Sequence, residues 1–184
     1  MSAMINRRMT LHKGRVFKLV NENYTLDNGV TADMDFIQHP GAVAVVPMLN
    51  QEDIILIKQY RHAVREFIWE IPAGTLDSQE SPSGCARREL IEETGYSAGK
   101  WHQLGKITPL PGCSDERIHI FLASDLKPAE QNLDKDELLS VHRLRFKSAL
   151  QMILTGEIQD GKNGVPNAQR KKRGDCGLRS LGLR

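Results

Sequence analysis

The sequence predicts an α+β fold, in which a mixed β-sheet packs with helices and follows an N-terminal antiparallel β-hairpin. Three features predict it: short runs of β-branched and aromatic residues, two segments with helical signals, and an Asn-Gly turn near the start. The chain has 184 residues, of which 40% are hydrophobic and 26% are charged. This balance suits one globular domain and excludes collagen-like, coiled-coil and wholly disordered proteins.

The N-terminal part is predicted to form a small antiparallel sheet. Residues 15–20 and 24–26 favour strands, and residues 34–38 favour the returning strand. Between them, Asn28-Gly29 is typical of a hairpin with a type I′ turn, since both residues tolerate positive φ angles. We therefore assign residues 1–38 to a β-hairpin subdomain.

The rest of the chain alternates strands with two helices. The predicted strands cover residues 42–49, 54–60, 67–71, 101–107, 118–123 and 138–146. A helix is predicted over residues 82–94 because Ser81 can cap its first turn, Pro82 suits the first helical position, and Gly95 suits a left-handed end. A second, amphipathic helix is predicted over residues 147–155.

The sequence also indicates the cellular compartment of the protein. The longest apolar run, residues 42–49, contains Pro47 and is too short to cross a bilayer, and the N-terminus lacks the apolar core of a signal peptide. The three cysteines form no CxxC pair, which argues against a disulfide scaffold. We expect a cytoplasmic protein without a membrane partner.

The charge is divided unevenly along the chain. From Lys162 onward there are seven Lys/Arg and one acid, a net charge of +6, whereas the preceding residues carry 18 basic and 22 acidic side chains, a net charge of −4. A basic tail can touch nucleic acid, but basic termini are often merely solvated, so nucleic acid is the less favoured partner. Residues 163–184 are predicted to be a flexible basic tail or a segment held by a partner subunit.

The first predicted helix carries an unusual group of acids. Glu92 and Glu93 lie three and four residues after Glu89, so that all three carboxylates share one helix face. Their mutual repulsion is unfavourable, and the helix dipole disfavours anions in the last turn. A divalent cation would reverse both effects, and oxygen ligands suit Mg²⁺ or Mn²⁺. The alternative is a solvated acidic face balanced by Arg87 and Arg88.

The residues around this helix favour the metal site. Gly74, five residues, Glu80, seven residues, Arg88-Glu89-Leu90, one residue, Glu92-Glu93, one residue and Gly95-Tyr96 follow each other in a single register. This order resembles the Nudix box, the loop–helix–loop signature of the Nudix hydrolases. The resemblance implies a Nudix fold, an α/β/α sandwich, over residues 39–162.

Several roles follow from the resemblance alone. It implies that Glu89 and Glu93 bind Mg²⁺, for which Mn²⁺ is a possible substitute, with help from Glu80 and the Ala73 carbonyl. Arg88 matches the arginine that orients these glutamates. The general base is implied on a late loop, where Glu137 is the best match and Glu92 is the alternative. Lys135 interrupts the acidic run usual in that loop, so a merely solvated loop stays open as well.

Further segments resemble the ADP-ribose branch of this family. These are Gln59-Tyr60-Arg61, residues 69–74, and a loop in which Pro111 follows Gly95 by sixteen residues. The likeness implies that Arg61, Glu70 and Glu116 bind substrate. Trp69 or Phe17 could stack on adenine, although such aromatic residues more often belong to the core. A surface arginine and an ion-paired loop carboxylate are the plainer interpretations of Arg61 and Glu116.

The implied activity is Mg²⁺-dependent hydrolysis of ADP-ribose or a related nucleoside diphosphate sugar to a nucleoside monophosphate and a sugar phosphate. The alternatives are a sensor that binds ADP-ribose without turnover and a pyrophosphatase for another diphosphate, such as a dinucleotide or a GDP-sugar. The same resemblance implies a homodimer in which the N-terminal sheet reaches the partner.

Overall fold

A computed structural model describes residues 2–161, which form ten strands and two helices. The elements are β1 Ala3–Lys13, β2 Lys18–Leu26, β3 Thr31–Gln38, β4 Ala42–Pro47, β5 Asp53–Arg61, β6 Glu66–Glu70, β7 Ala73–Thr75, α1 Pro82–Thr94, β8 Tyr96–Ile107, β9 Ile118–Pro128, β10 Leu139–Arg145 and α2 Phe146–Thr155. The predicted basic tail, residues 163–184, lies outside the described residues.

The N-terminal sheet has the order β1-β2-β3 and is antiparallel throughout. The predicted hairpin joins β2 to β3, but the predicted type I′ turn is wrong. Gly29 has a φ of +82° and donates its N–H to the Leu26 carbonyl at 2.8 Å, whereas Asn28 does not have a positive φ. This hydrogen bond makes Asp27 and Asn28 the central residues of the turn. Type I′ needs a positive φ at both, and neither has one, so only Gly29, which follows them, is left-handed.

Strand β1 was not predicted from the sequence. All of its side chains are exposed, so it carries no core-facing alternation, and its pairing with β2 holds it in place. The strand predicted over residues 15–20 is corrected at its start. Residues 15–17 form the connection to β2, in which Gly14 donates to the Phe17 carbonyl at 2.9 Å.

The body of the protein contains two sheets, a mixed sheet β7-β4-β9-β8 and an antiparallel sheet β10-β5-β6. Strand β4 is buried and alternates between two layers. Val43 and Val45 pack against α1, while Ala42 and Ala44 join the core that α2 covers. The predicted α+β class is confirmed, with the difference that the single predicted sheet is divided into two.

Helix α1 has the predicted bounds and caps. Ser81 accepts a hydrogen bond from the Gly84 N–H at 3.1 Å, and Pro82 occupies the first turn. Gly95 has a φ of +70° and donates to the Ile91 carbonyl. Directly before the helix, β7 pairs with β4 where the sequence predicted only the end of a strand. This pairing places Gly74 beside α1.

The N-terminal sheet meets the body at few places. Ile37 on β3 exchanges backbone hydrogen bonds with the loop at Cys113 and Asp115, at 2.8 and 3.1 Å. Arg15 forms an ion pair with Asp136 at 3.0 Å, on the loop between β9 and β10. Both contacts border the cavity described next. Within residues 2–161, neither helix has the length and hydropathy needed to cross a bilayer.

Candidate active site

A cavity of about 560 Å³ opens between α1, β7 and the β9–β10 loop. Of the ten residues that the sequence assigns to the site, seven line this cavity: Arg61, Ala73, Arg88, Glu89, Glu92, Glu116 and Glu137. The other three are Glu70, Glu80 and Glu93, which are not among its lining residues. The fold therefore brings most of the assigned residues to one place, although they come from five parts of the chain.

Arg88 is the hydrogen-bonding centre of the acidic group. Its guanidinium donates to Glu80 at 2.9 and 3.0 Å, to Glu89 at 2.8 Å and to Glu92 at 2.9 Å. The hydrogen bonds from Arg88 lower the pKa of Glu80 to about 2, so that this carboxyl stays ionised. A single cation thus binds three carboxylates, offsets part of their negative charge and sets their directions.

The Glu89 carboxylate lies directly over Gly74. A Cβ atom built on Gly74 would overlap that carboxylate, so the absence of a side chain in β7 makes room for it. Burial raises the pKa of Glu89 to about 7, even though Arg88 lowers it. This carboxylate is thus held in a poorly solvated place where its negative charge is costly without a further cation.

Glu93 lies behind the cavity wall and is only 1% exposed. Its carboxylate accepts a hydrogen bond from the Ala73 N–H at 2.9 Å. Its backbone carbonyl accepts one from the Gln131 side chain at 2.6 Å. The end of α1 is therefore tied both to β7 and to the β9–β10 loop.

Arg61 and Glu70 form a bidentate ion pair with two contacts of 2.7 Å. Glu70 is 1% exposed, whereas the side chain of Arg61 is 37% exposed and lines the cavity. The hydrogen bonds from Glu70 raise the pKa of Arg61. In this geometry Glu70 positions the guanidinium of Arg61, which lines the cavity.

Two acids complete the cavity from loops. Glu116 lies 3.8 Å from the His39 ring, and Glu137 accepts a hydrogen bond from the Asp134 N–H at 3.0 Å. The loop that carries Glu137 is anchored to α1, since Asn132 donates its N–H to the Glu92 carbonyl at 3.1 Å. The sequence reasoning missed Asn132, Gln131 and Arg15, because loop-to-helix hydrogen bonds and contacts between distant segments leave no periodic signal.

The two aromatic residues expected to stack on adenine lie in different settings. Trp69 packs edge-on against His142 at 4.8 Å between centroids, with Lys58 over its ring, and is not a lining residue of the cavity. Phe17 is exposed and follows Val16, which does line it. Of the two rings, only Phe17 is adjacent in sequence to a residue that lines the cavity.

The donor groups fit a hard divalent cation. The Glu89 carboxylate lies against Gly74, the Glu93 carboxylate accepts a hydrogen bond from the Ala73 N–H, and carboxylate oxygens are ligands that such a cation prefers. Within residues 2–161, however, no three His, Cys, Asp or Glu side chains stand in ready metal-binding geometry. Arg88 donates hydrogen bonds to Glu89 and Glu92.

Comparison with known proteins identifies the family. The family model of the NUDIX domain matches residues 38–163. The chain belongs to the Nudix family. The resemblance drawn from the sequence is thus confirmed, and this Nudix chain is a pyrophosphohydrolase of a family that generally needs a divalent metal ion.

Three similar proteins cover most of this Nudix chain. An ADP-ribose pyrophosphatase of Bacillus subtilis (strain 168) is 38% identical over 154 residues, 83% of each chain. A methanol dehydrogenase activator of Bacillus methanolicus is 40% identical over 157 residues, 84% of this chain and 85% of the relative. A GDP-mannose pyrophosphatase of Escherichia coli O1:K1 / APEC is 34% identical over 167 residues, 79% and 87% respectively.

A solved structure supports the fold. The crystal structure of an ADP compounds hydrolase superposes with a TM-score of 0.76 and covers 89% of both chains, at 24% sequence identity. At that identity the likeness concerns the fold, which it confirms as the Nudix fold.

The position of Gly74 under Glu89 leads to a first prediction. We expect Gly74→Ala to displace the Glu89 carboxylate and to lower kcat/KM by about tenfold or more, because supporting groups of metal ligands have effects of this size. The melting temperature should change little, since the displaced group is the end of a flexible side chain. Gly105→Ala on β8 is the control, as a Cβ there meets nothing within 4 Å. Equal activity of both variants would contradict this role.

Proposed function

We propose that this Nudix chain hydrolyses the diphosphate of ADP-ribose or a related nucleoside diphosphate sugar, with Mg²⁺ as its cofactor. The observation that carries the proposal is the joint placement of the Arg88-bound carboxylates and of Arg61 on one cavity. The names of the relatives support the substrate class, since two of them are pyrophosphatases of nucleoside diphosphate sugars.

Each residue has a proposed task in this reaction. Glu89, Glu93, Glu80 and the Ala73 carbonyl would hold Mg²⁺, which when bound withdraws electron density from the phosphoryl oxygens and lowers the pKa of water. Arg61, held by Glu70, would bind the diphosphate oxygens in a bidentate manner, and Glu116 would contact the substrate from its loop. Arg88 keeps the carboxylates in place.

The bond changes are those of a simple hydrolysis. A water oxygen attacks one phosphorus, the bond from that phosphorus to the bridging oxygen breaks, and the bridging oxygen leaves with the other phosphate. Glu137 would take the proton of the water. Glu137 is preferred over Glu92 because Glu92 is bound by the charged Arg88 guanidinium at 2.9 Å, which makes a carboxylate less basic, whereas the hydrogen bond that Glu137 accepts at 3.0 Å comes from the uncharged Asp134 N–H. ADP-ribose would give AMP and ribose 5-phosphate.

A substrate panel with Mg²⁺ tests the proposal. We expect Glu93→Gln to lose most turnover of ADP-ribose, because the variant keeps the size of the side chain but removes its charge. The control is Glu157→Gln, which changes an exposed glutamate after α2. Full activity of Glu93→Gln would reject the metal assignment. A wild-type protein that binds ADP-ribose without releasing AMP would instead support a sensor.

The second candidate substrate is GDP-mannose, which the name of the Escherichia coli relative favours. The same panel separates the two, because each nucleotide sugar releases its own monophosphate. A dinucleotide belongs in the panel as the remaining diphosphate class. The substrate with the highest kcat/KM decides which relative this chain resembles in function.

The assignment of the general base has its own test. We expect Glu137→Gln to lower kcat by about 10²- to 10⁴-fold. Glu130→Gln, an exposed glutamate at the start of the same loop, should leave kcat unchanged. If Glu92→Gln lowers kcat and Glu137→Gln does not, Glu92 is the base.

We also propose a cytoplasmic homodimer formed through the N-terminal sheet. Strand β1 is an edge strand whose apolar side chains are exposed, including Ile5 at 54% and Leu11 at 45%. Exposed apolar side chains on a sheet edge are typical of interfaces. Equilibrium sedimentation should give about twice the chain mass of 20.7 kDa. Leu11→Lys should shift the mass toward the monomer and Leu104→Lys on β8 should not; a wild-type mass near 20.7 kDa would reject the dimer.

A further inference from the structure

Glu116 reaches the cavity from a loop that is bound along the linker, residues 37–42, which leads from β3 into β4. Backbone hydrogen bonds join the two segments on both sides of Glu116. Asp115 donates its N–H to the first carbonyl of the linker at 3.1 Å, and the last N–H of the linker donates to the Arg117 carbonyl at 2.9 Å. The place of Glu116 at the cavity therefore depends on the conformation of the linker.

His39 lies in the middle of the linker and forms hydrogen bonds through both its main chain and its ring. Its N–H donates to the Asp115 carboxylate at 2.7 Å, and its Nδ1 atom accepts from the Gly41 N–H at 3.1 Å. Gly41 is buried and has a φ of +100°, a conformation that residues with a side chain rarely adopt. The two hydrogen bonds thus stabilise a tight turn directly beside the Glu116 loop.

The hydrogen bond from Gly41 also determines the form of the imidazole. A nitrogen that accepts from an N–H carries a lone pair, so the ring of His39 is neutral and its proton is on Nε2. The Oε1 atom of Glu116 lies 3.8 Å from the same Nδ1, which is beyond hydrogen-bonding distance, and two acceptors do not bind each other. The ring therefore borders the Glu116 carboxylate on the linker side without holding it away from the cavity.

We propose that His39 is a positioning residue for substrate binding, because its neutral ring and the Asp115 carboxylate fix the linker so that Glu116 faces the cavity. His39 is not a lining residue of the cavity, so it acts through Glu116. This inference rests on the proposed function, in which Glu116 contacts the substrate. It predicts that loss of the ring acceptor raises KM more than it lowers kcat, since the carboxylates proposed to hold Mg²⁺ lie elsewhere.

The experiment compares two replacements of His39 that have the same branched shape. In His39→Asn the amide oxygen takes the place of Nδ1 and can accept from the Gly41 N–H, as asparagine does in Asx-turns. In His39→Leu no acceptor remains. His102→Leu, at an exposed histidine on β8, is the matched control. Both kcat and KM are measured with Mg²⁺ for ADP-ribose, or for GDP-mannose if the substrate panel favours it.

We expect His39→Leu to raise KM by about tenfold and to change kcat by less than about twofold, since the loss of one hydrogen bond corresponds to about such a factor in binding. His39→Asn should bring KM back to within about threefold of the wild type, because the acceptor is restored. His102→Leu should match the wild type. Equal KM values in the two His39 variants, or a loss confined to kcat, would overturn the inference.

A double-mutant cycle with Glu116 separates positioning from a general loss of stability. Glu116→Gln alone should raise KM. Adding His39→Leu to it should raise KM further by less than about twofold, because the group through which His39 acts is already changed. Effects that multiply independently would overturn the inference, and so would an unchanged KM in Glu116→Gln.

Asp115 supplies a second pair of variants, which keeps the test decisive if His39→Leu does not fold. Asp115→Ala removes the acceptor of the His39 N–H and should raise KM, whereas Asp115→Asn keeps an acceptor oxygen and should raise it less. An unchanged KM in Asp115→Ala would count against the inference even if His39→Leu could not be measured.

The proposed function fails by a different outcome. If the wild type binds ADP-ribose but cleaves neither nucleotide sugar, the hydrolysis is rejected, and calorimetric affinities of the same variants for ADP-ribose decide the role of His39. A weaker affinity in His39→Leu that His39→Asn restores supports that role, and equal affinities reject it. A protein that neither binds nor cleaves rejects both. Normal cleavage with an unchanged KM in His39→Leu rejects the inference alone.

Discussion

The constraint that the rest of the site must satisfy is the repulsion among three carboxylates that helix α1 brings together. Glu89, Glu92 and Glu93 share the last turns of α1, where neither their neighbours nor the helix dipole favours negative charge. Arg88 offsets part of this cost by hydrogen bonding two of them together with Glu80. Glu89 remains the least compensated, since burial raises its pKa to about 7. A divalent cation is the group that relieves such a site.

The surrounding fold holds these groups in position. Strand β7 is short, but its pairing with β4 puts Gly74 under the Glu89 carboxylate and the Ala73 N–H against Glu93. The β9–β10 loop is tied to the same helix end through Gln131 and Asn132. A displacement of α1 would therefore move the carboxylates and the loop bearing Glu137 together. The groups proposed for catalysis come from distant segments but are joined by these hydrogen bonds.

On the β5 side of the cavity, a buried side chain orients a partly exposed one. Glu70 is buried and orients Arg61 toward the cavity through two short hydrogen bonds. Gln59, two residues before Arg61 on the same face of β5, is buried as well. One strand thus carries a buried amide and a cavity-lining cation on the same face.

The sequence by itself determined the local elements and the reactive cluster. The caps of α1, the spacing of its glutamates and the hairpin at Gly29 follow from side-chain chemistry within a few residues, which is why they were predictable. Tertiary structure decided what depends on distant partners. It paired the fully exposed β1 with β2, placed Glu70 behind Arg61, and left Gln59 Oε1 without a partner among residues 2–161. These outcomes arise from contacts between segments far apart in the chain, and no local pattern records such contacts.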